Sequence, residues 1–109
     1  MADIPILQVT TDGGQPLAFI TGDGTNWTVE ANDGNLTIEL SNPTGGSLNA
    51  TFIPQSTGPA GLTFANKVIA VPAGETIICG PWPPVVYNDD QDRIVVTLDA
   101  GLQARGSRI

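Results

Sequence analysis

Apolar and polar residues alternate along most of the chain, and this period of two restricts the possible folds more than any other feature. Leu36, Ile38 and Leu40 alternate with polar residues. The same alternation recurs in three other stretches: 27–30, 48–52 and 94–98. Side chains two positions apart share one face of a β-strand, so each stretch is predicted to have an apolar face and a wetted one, with Thr28 on the wetted face. No stretch of ten or more residues has the spacing of an amphipathic helix.

Turn-forming clusters separate these stretches at intervals of about ten residues. They are Asp12-Gly13-Gly14, Gly22-Asp23-Gly24, Asp33-Gly34, Gly45-Gly46 and Pro72-Ala73-Gly74. Short strands divided in this way predict an all-β chain of about seven to nine strands. We expect a single antiparallel β-sandwich, immunoglobulin-like or jelly-roll-like, or a small barrel. The predicted strands cover residues 4–10, 17–21, 27–31, 36–41, 48–53, 63–71, 75–80, 93–99 and 102–105.

Residues 65–80 contain the clearest local unit. Lys67–Val71 and Glu75–Cys79 flank a Pro-Ala-Gly turn, which predicts a β-hairpin. The next four residues, 81–84, contain three prolines, which cannot donate ladder hydrogen bonds, so the chain is predicted to leave the sheet there. No change of composition divides the chain, and residues 1–109 are therefore predicted to form one domain.

The charge balance limits the classes of partner. The formal net charge is −7 at pH 7, and residues 1–66 contain six of the 11 acids but no Lys or Arg. Binding to nucleic acid without sequence preference and adhesion to anionic membranes both depend on Lys and Arg. We therefore expect neither nucleic acid nor membrane as a partner, and no apolar run approaches the length of a membrane-spanning segment.

Most catalytic residue types are missing from the sequence. The chain has no His and a single cysteine, Cys79, which excludes Ser-His-Asp and Cys-His arrangements, cysteine-based zinc sites and an intramolecular disulfide. The single lysine, Lys67, is not in a Ser-x-x-Lys pattern. The sequence predicts no catalytic, cofactor-binding or metal-binding residues, and we expect the protein not to be an enzyme.

The acidic segment 87–92 contains part of the ligand pattern of a calcium-binding loop. Asn88, Asp90 and Asp92 are two residues apart and Asp99 stands at the twelfth position, as in such loops. However, Arg93 occupies the position where the sharp turn requires Gly. A solvated acidic turn between two strands is therefore the favoured interpretation, with calcium binding as the alternative.

Two pairs of residues are candidates for contact with a partner. Trp82 and Tyr87 lie in the Pro-rich segment and are interpreted as core or interface packing, with stacking on a sugar as the alternative. Arg105 and Arg108 belong either to a frayed tail, which is the commoner state of a chain end, or to a surface that docks on an acidic partner.

Residues 66–88 resemble a segment of small virion structural proteins of tailed bacteriophages. The similarity lies in a strand, a Val-Pro-Ala-Gly turn, a second strand and a Gly-Pro-Trp-Pro segment, followed by Tyr87-Asn88. It covers about the C-terminal 45 residues, with a looser similarity at Leu36–Pro43. The resemblance implies a β-sandwich bound in many copies to a virion as a capsid decoration or cement protein, with no catalytic or metal-binding residues.

The same resemblance implies the partners and the location. The expected partners are a major capsid protein or another virion protein and further copies of the chain, for example as a trimer. The protein would be made in the host bacterial cytoplasm and act on the capsid surface. Because like-charged copies must meet through uncharged patches or the few arginines, Trp82, Tyr87, Arg105 and Arg108 are predicted to lie near a subunit or shell contact. The alternatives are a carbohydrate-binding adhesion module and a head–tail or tail component.

Overall fold

The computed structural model describes residues 2–4, 6–8, 19–30, 32–55 and 64–108, and about half of these residues lie in strands. In chain order the strands are β1 (Ala2–Asp3), β2 (Ile6–Gln8), β3 (Ile20–Thr21), β4 (Asn26–Val29), β5 (Leu36–Ser41), β6 (Leu48–Ile53), β7 (Lys67–Val71), β8 (Thr76–Cys79), β9 (Ile94–Leu98) and β10 (Gln103–Arg108). One helical turn, α1 (Pro84–Tyr87), lies between β8 and β9. The all-β prediction is confirmed, although α1 falls in a segment expected to be extended.

The strands form two sheets that pack as a sandwich. The first sheet has the order β1-β4-β9-β6-β7 and the second the order β2-β10-β5-β8, with β3 also paired to β10. Neighbouring strands are antiparallel except in the pairs β1–β4 and β2–β10, which are parallel. Buried apolar side chains fill the space between the sheets: Ile4, Val29, Leu36, Ile38, Leu40, Ala50, Phe52, Val71, Trp82, Ile94, Val96, Leu98, Leu102 and Ala104.

The period of two correctly predicts which side chains of most strands face the core. In β5, Leu36, Ile38 and Leu40 are fully buried while the residues between them are half-buried. The prediction that Thr28 faces solvent is wrong, because this residue is fully buried. Its hydroxyl donates a hydrogen bond to the Asp3 carboxylate of the neighbouring strand β1, so a polar partner within the chain replaces water.

The predicted hairpin at 65–80 is also wrong. β7 pairs with β6 in the first sheet, whereas β8 pairs with β5 in the second, so residues 72–75 carry the chain from one sheet to the other. Asn42, at the end of β5, holds this crossover: its backbone N–H donates to Glu75 O at 2.9 Å and its carbonyl accepts from Gly74 N at 2.8 Å. The buried Asn42 side chain also donates from Nδ2 to Val71 O at 2.9 Å. Residues 72–75 still form a tight turn, closed by a hydrogen bond from Glu75 N to Pro72 O at 3.2 Å, and the bonds of Asn42 fix this turn to the end of β5.

The first residues of the chain cross between the sheets at the opposite side. β1 pairs with β4 in the first sheet, and β2 pairs with β10 in the second. Between them Ile4 is buried, and its N–H donates to Thr28 O at 2.8 Å. Of the strand predicted at 4–10, the described part contains only β2, and Ile4 lies between β1 and β2. Residues 5, 9–10, 17–18, 31 and 63 of the predicted strands, and the predicted turn at 12–14, lie outside the described residues.

Candidate interaction surface

Trp82 lies inside the sandwich, where the Pro-rich segment turns inward after β8. Its side chain is 5% exposed. Its ring stacks on Phe52 with centroids 3.9 Å apart and an interplanar angle of 21°, and Tyr87 meets it edge-on at 5.1 Å. The interpretation of Trp82 as packing is confirmed. Its indole face is covered by Phe52, so Trp82 is not accessible for stacking on a sugar, whereas Tyr87 is half-buried.

Two asparagines fasten the segment around Trp82 to the rest of the fold. Asn32 is buried, and its Nδ2 donates both to Trp82 O at 3.1 Å and to Asn88 Oδ1 at 2.6 Å. In return Asn88 Nδ2 donates to Asn32 O at 2.9 Å. Just before Trp82, Gly80 has a φ of +115°, and a Cβ there would lie 2.9 Å from Leu36 O. This end of the sandwich is therefore closely fitted.

Arg105 is part of a sheet and not of a frayed tail. It lies in β10, which pairs with β5 on one side and with β2 and β3 on the other, so the frayed-tail interpretation is wrong for residues 103–108. Arg105 forms an ion pair with Glu39, with its Nε donating to Oε2 at 2.6 Å. Its guanidinium carbon lies 4.1 Å from the centroid of the Phe19 ring. The charge is therefore largely engaged within its own chain.

The structure does not bring the four candidate interface residues into one cluster. Trp82 and Tyr87 touch each other at one end of the core, whereas Arg105 is paired on the outer face of the second sheet. Arg108 is opposite Leu36 in β5 and Gln8 in β2, and its side chain lies outside the described residues. Their participation in a subunit or shell contact stays a prediction.

The acidic turn uses its polar groups for structure. The Asp89 carboxylate accepts hydrogen bonds from the backbone N–H of Gln91 at 2.8 Å and of Arg93 at 3.0 Å, and forms an ion pair with Arg93. Partial burial disfavours the charge, but these hydrogen bonds and the Arg93 charge outweigh it and hold the pKa of Asp89 below its usual value.

Two members of the calcium-like pattern have other contacts. Asn88 is bound to Asn32, and Asp99 Oδ2 accepts from Asn49 N at 2.8 Å. Among the described residues, no group of three or more Asp, Glu, Cys or His side chains is placed to hold a metal ion. The carboxylates of Asp89 and Asp99 are thus committed separately to local backbone and side-chain partners.

Neither a surface pocket beside β5 nor the thiol offers reactive chemistry. The pocket, about 300 Å³ in volume, is lined by Gly34, Asn35, Thr37 and Pro81, and none of these described lining residues is an acid, a base or a thiol. Cys79 donates from Sγ to Ile38 O at 3.2 Å. Burial raises the pKa of this thiol to about 12, so at neutral pH it lacks the thiolate that nucleophilic chemistry requires.

A further candidate surface is formed by β7, the crossover 72–75 and β8. We call this surface the neutral side. It belongs to segment 64–88, whose two charged residues, Lys67 and Glu75, have opposite signs. The large apolar side chains found exposed in the described part of the chain also fall in this segment: Phe64, Val68, Ile78 and Val85. The low charge of this segment is visible in the sequence, but the exposure of its apolar side chains is evident only from the edge positions of β7 and β8.

Comparisons with known proteins reveal no relative. No protein-family model, no curated protein and no solved structure shows significant similarity to the chain.

Within the described residues, no helix has the length and apolar character needed to cross a membrane.

Proposed function

We propose that this chain is a non-enzymatic structural protein of a tailed-bacteriophage virion, bound in many copies to the head as a decoration protein. The observation that carries the proposal is segment 66–88, whose order of strand, Val-Pro-Ala-Gly turn, strand and Gly-Pro-Trp-Pro resembles such proteins. In this chain that segment supplies an edge strand to each sheet and then anchors itself in the core through Trp82.

The distribution of polar groups supports a structural role. The strongest polar contacts described above join strands or fasten loops: Arg105 to Glu39, Asn32 to Asn88 and Asp89 to Arg93. None of these groups lines the surface pocket. A decoration subunit requires a stable fold and a complementary surface, and it needs no cleft with an acid and a base at a set separation.

The surface chemistry supports display at high density. The outer faces of the sheets carry many hydroxyl groups, for example Thr37 hydrogen-bonded to Ser107 at 2.7 Å and Ser41 hydrogen-bonded to Thr76 at 2.9 Å. Together with a net charge of −7, these faces favour solubility because like-charged copies repel one another. Contacts between such subunits and a shell would then form where the acidic charge is lowest.

The test is to locate the chain in particles made from the genome that encodes it. Heads and tails are separated by sedimentation after purification, and the chain is quantified in each fraction by mass spectrometry against the major capsid protein. We expect the chain in the head fraction at many copies per particle. Recovery with tails would replace the decoration role by a tail role, and absence from both fractions would refute the proposal.

A further inference from the structure

The neutral side is electrically unlike the rest of the molecule. Lys67 and Glu75 cancel over the 25 residues from 64 to 88, so the formal net charge of −7 arises entirely from the other residues. Two copies approaching through any strongly acidic surface repel each other, and this repulsion is smallest where the net charge is zero. Electrostatics therefore favours the neutral side as the place where two copies of this chain can meet.

The apolar exposure lies on the same segment. Ile78 in β8 is 69% exposed and Val68 in β7 is 54% exposed, while Phe64 just before β7 and Val85 in α1 are 43% and 79% exposed. Isolated exposed apolar residues are common on protein surfaces. Here, however, all the large ones found among the described residues fall within 22 consecutive positions. Val68 lies on the outer face of the first sheet and Ile78 on the outer face of the second, so each edge strand has one exposed apolar side chain that a further strand placed beside it would contact.

The neutral side also contains two free sheet edges. β7 is the last strand of the first sheet and β8 the last strand of the second, and only residues 72–75 separate them. No described strand pairs with the outer side of either one. Edge strands present unpaired backbone N–H and C=O groups that bind further strands, and proteins usually protect them with charges or prolines. The protecting residues here are Lys67 at the start of β7, Pro72 directly after β7 and Glu75 directly before β8.

The two charges are arranged for pairing with a second copy. Lys67 begins β7, far from the crossover, whereas Glu75 lies in the crossover itself. A twofold axis that lies in the plane of the neutral side, perpendicular to β7, exchanges these two ends, so Lys67 of each copy approaches Glu75 of the other. Among the basic side chains that the structure describes, Arg93 and Arg105 have ion partners within the chain, and no such pair is found for Lys67.

We propose that the neutral side is a self-association surface, where two copies of this chain bind through the edges β7 and β8 around a twofold axis. Exposed Val68 and Ile78 supply apolar contact, and the two symmetric Lys67–Glu75 pairs set the orientation. A twofold contact uses the same patch on both copies, which is satisfied by a surface with one positive and one negative end. The inference concerns the purified chain and does not depend on the proposed role in a virion.

The experiment is sedimentation velocity at low ionic strength, over protein concentrations from about 1 µM to about 1 mM, the range that covers weak protein–protein contacts. We expect the sedimenting species to change from monomer to dimer with rising concentration. Lys67→Glu and Glu75→Lys should each weaken the dimer on the order of tenfold, because each places like charges opposite each other twice. The double variant should recover most of the affinity, since the pairs are restored with their signs exchanged.

Glu30→Lys is the matched control. It changes the net charge by the same amount as Glu75→Lys, but at an exposed position outside the neutral side. If only general repulsion matters, both variants strengthen association; if the proposed contact exists, Glu75→Lys weakens it while Glu30→Lys does not. Circular dichroism and thermal unfolding of each variant confirm that it is folded.

Three results would overturn the inference. The first is a wild-type chain that stays monomeric over the whole range, which would leave the neutral side to another kind of partner. The second is a dimer whose affinity is unchanged in Val68→Asp and Ile78→Asp variants that remain folded. The third is a double charge exchange that fails to recover affinity lost in the single variants, which would contradict the twofold arrangement.

Discussion

Asn42 provides the sharpest test of how the sandwich is held together at the neutral side. Its side chain is 1% exposed and makes four hydrogen bonds. Nδ2 donates to Gly46 O at 2.7 Å and to Val71 O at 2.9 Å, and Oδ1 accepts from the N–H and hydroxyl of Thr44 at 3.0 and 2.6 Å. Replacement by alanine removes all four bonds at once.

The cost of Asn42→Ala follows from the surroundings of these partners. Val71 is fully buried, so its carbonyl cannot replace the lost donor with water, whereas Thr44 and Gly46 are exposed and can. At about 0.5–1.5 kcal/mol per hydrogen bond, and more for a partner left buried, the free energy of unfolding should fall by about 2–4 kcal/mol. For a chain of this size that loss corresponds to a decrease in Tm of roughly 10–20 °C.

The assay is urea unfolding followed by tryptophan fluorescence at pH 7. Asn49→Ala is the control, because it removes the same side chain from an exposed position in β6, where a change below about 0.5 kcal/mol is expected. A loss for Asn42→Ala that is no larger than for Asn49→Ala would refute the view that the Asn42 amide holds the crossover.

Asn42→Asp tests the two hydrogen bonds donated by Nδ2 by themselves, because it replaces the amide nitrogen with an oxygen and keeps the rest of the side chain. A carboxylate facing the carbonyls of Val71 and Gly46 can donate nothing and is repelled, so its folded-state pKa should lie above the unfolded value of about 3.9. The folded protein then binds the proton more tightly, and stability relative to wild type should increase as the pH falls from 7 towards about 4. Parallel pH profiles for the two proteins would contradict this reasoning.

Other predictions concern single groups. Gly80→Ala should lower Tm clearly, because the residue has a φ of +115° and its new Cβ would lie 2.9 Å from Leu36 O; an unchanged Tm would show that the segment moves freely. Cys79, whose pKa is raised to about 12, should react with Ellman's reagent at pH 8 only after unfolding, and rapid labelling of the native protein would contradict its burial. Asp89 has a pKa below its usual value, so the stability it contributes should be complete above about pH 4 and lost as the pH falls through the folded-state pKa. Asp89→Asn should therefore differ from wild type at pH 7 and converge with it in acid, as measured by urea unfolding at each pH.

The sequence predicts the faces of the strands better than their partners. The alternation of faces depends only on local strand geometry, and for this reason the sequence correctly predicts which side chains of β5 face the core. Strand pairing depends on which sheet receives each strand. Val71 and Ile77 both face inward whether β7 and β8 form a hairpin or belong to different sheets. The contacts that distinguish the two arrangements are distant in sequence from the turn: the pairing of β7 with β6 and of β8 with β5, and the hydrogen bonds of Asn42.

The candidate surface shows a similar limit. The prolines around Trp82 favour packing in the core or at an interface, and the structure places this residue in the core. For Arg105 the sequence favours a frayed tail over a docking surface, because its partner Glu39 lies 66 positions away and no local pattern reveals the pair. Exposure of Ile78 and Val68 follows from the edge positions of their strands, which the sequence pattern does not encode. The low charge of residues 64–88 is visible in the sequence. That these residues form an exposed surface follows only from the topology, which places β7 and β8 at the edges of the two sheets.

The position of β10 has a consequence for the time course of folding. This strand pairs with β5, β3 and β2, and its contact with β2 joins Ile6 to Gly106. A chain emerging from the ribosome can therefore assemble the β5–β8 pair early, but β2 and β3 have no partner in their sheet until residues 103–108 have been synthesised. Pairing across so much of the sequence slows folding. The second sheet is thus completed only when β10 joins β5 to β2 and β3, and until then β2 and β3 remain without their strand partner.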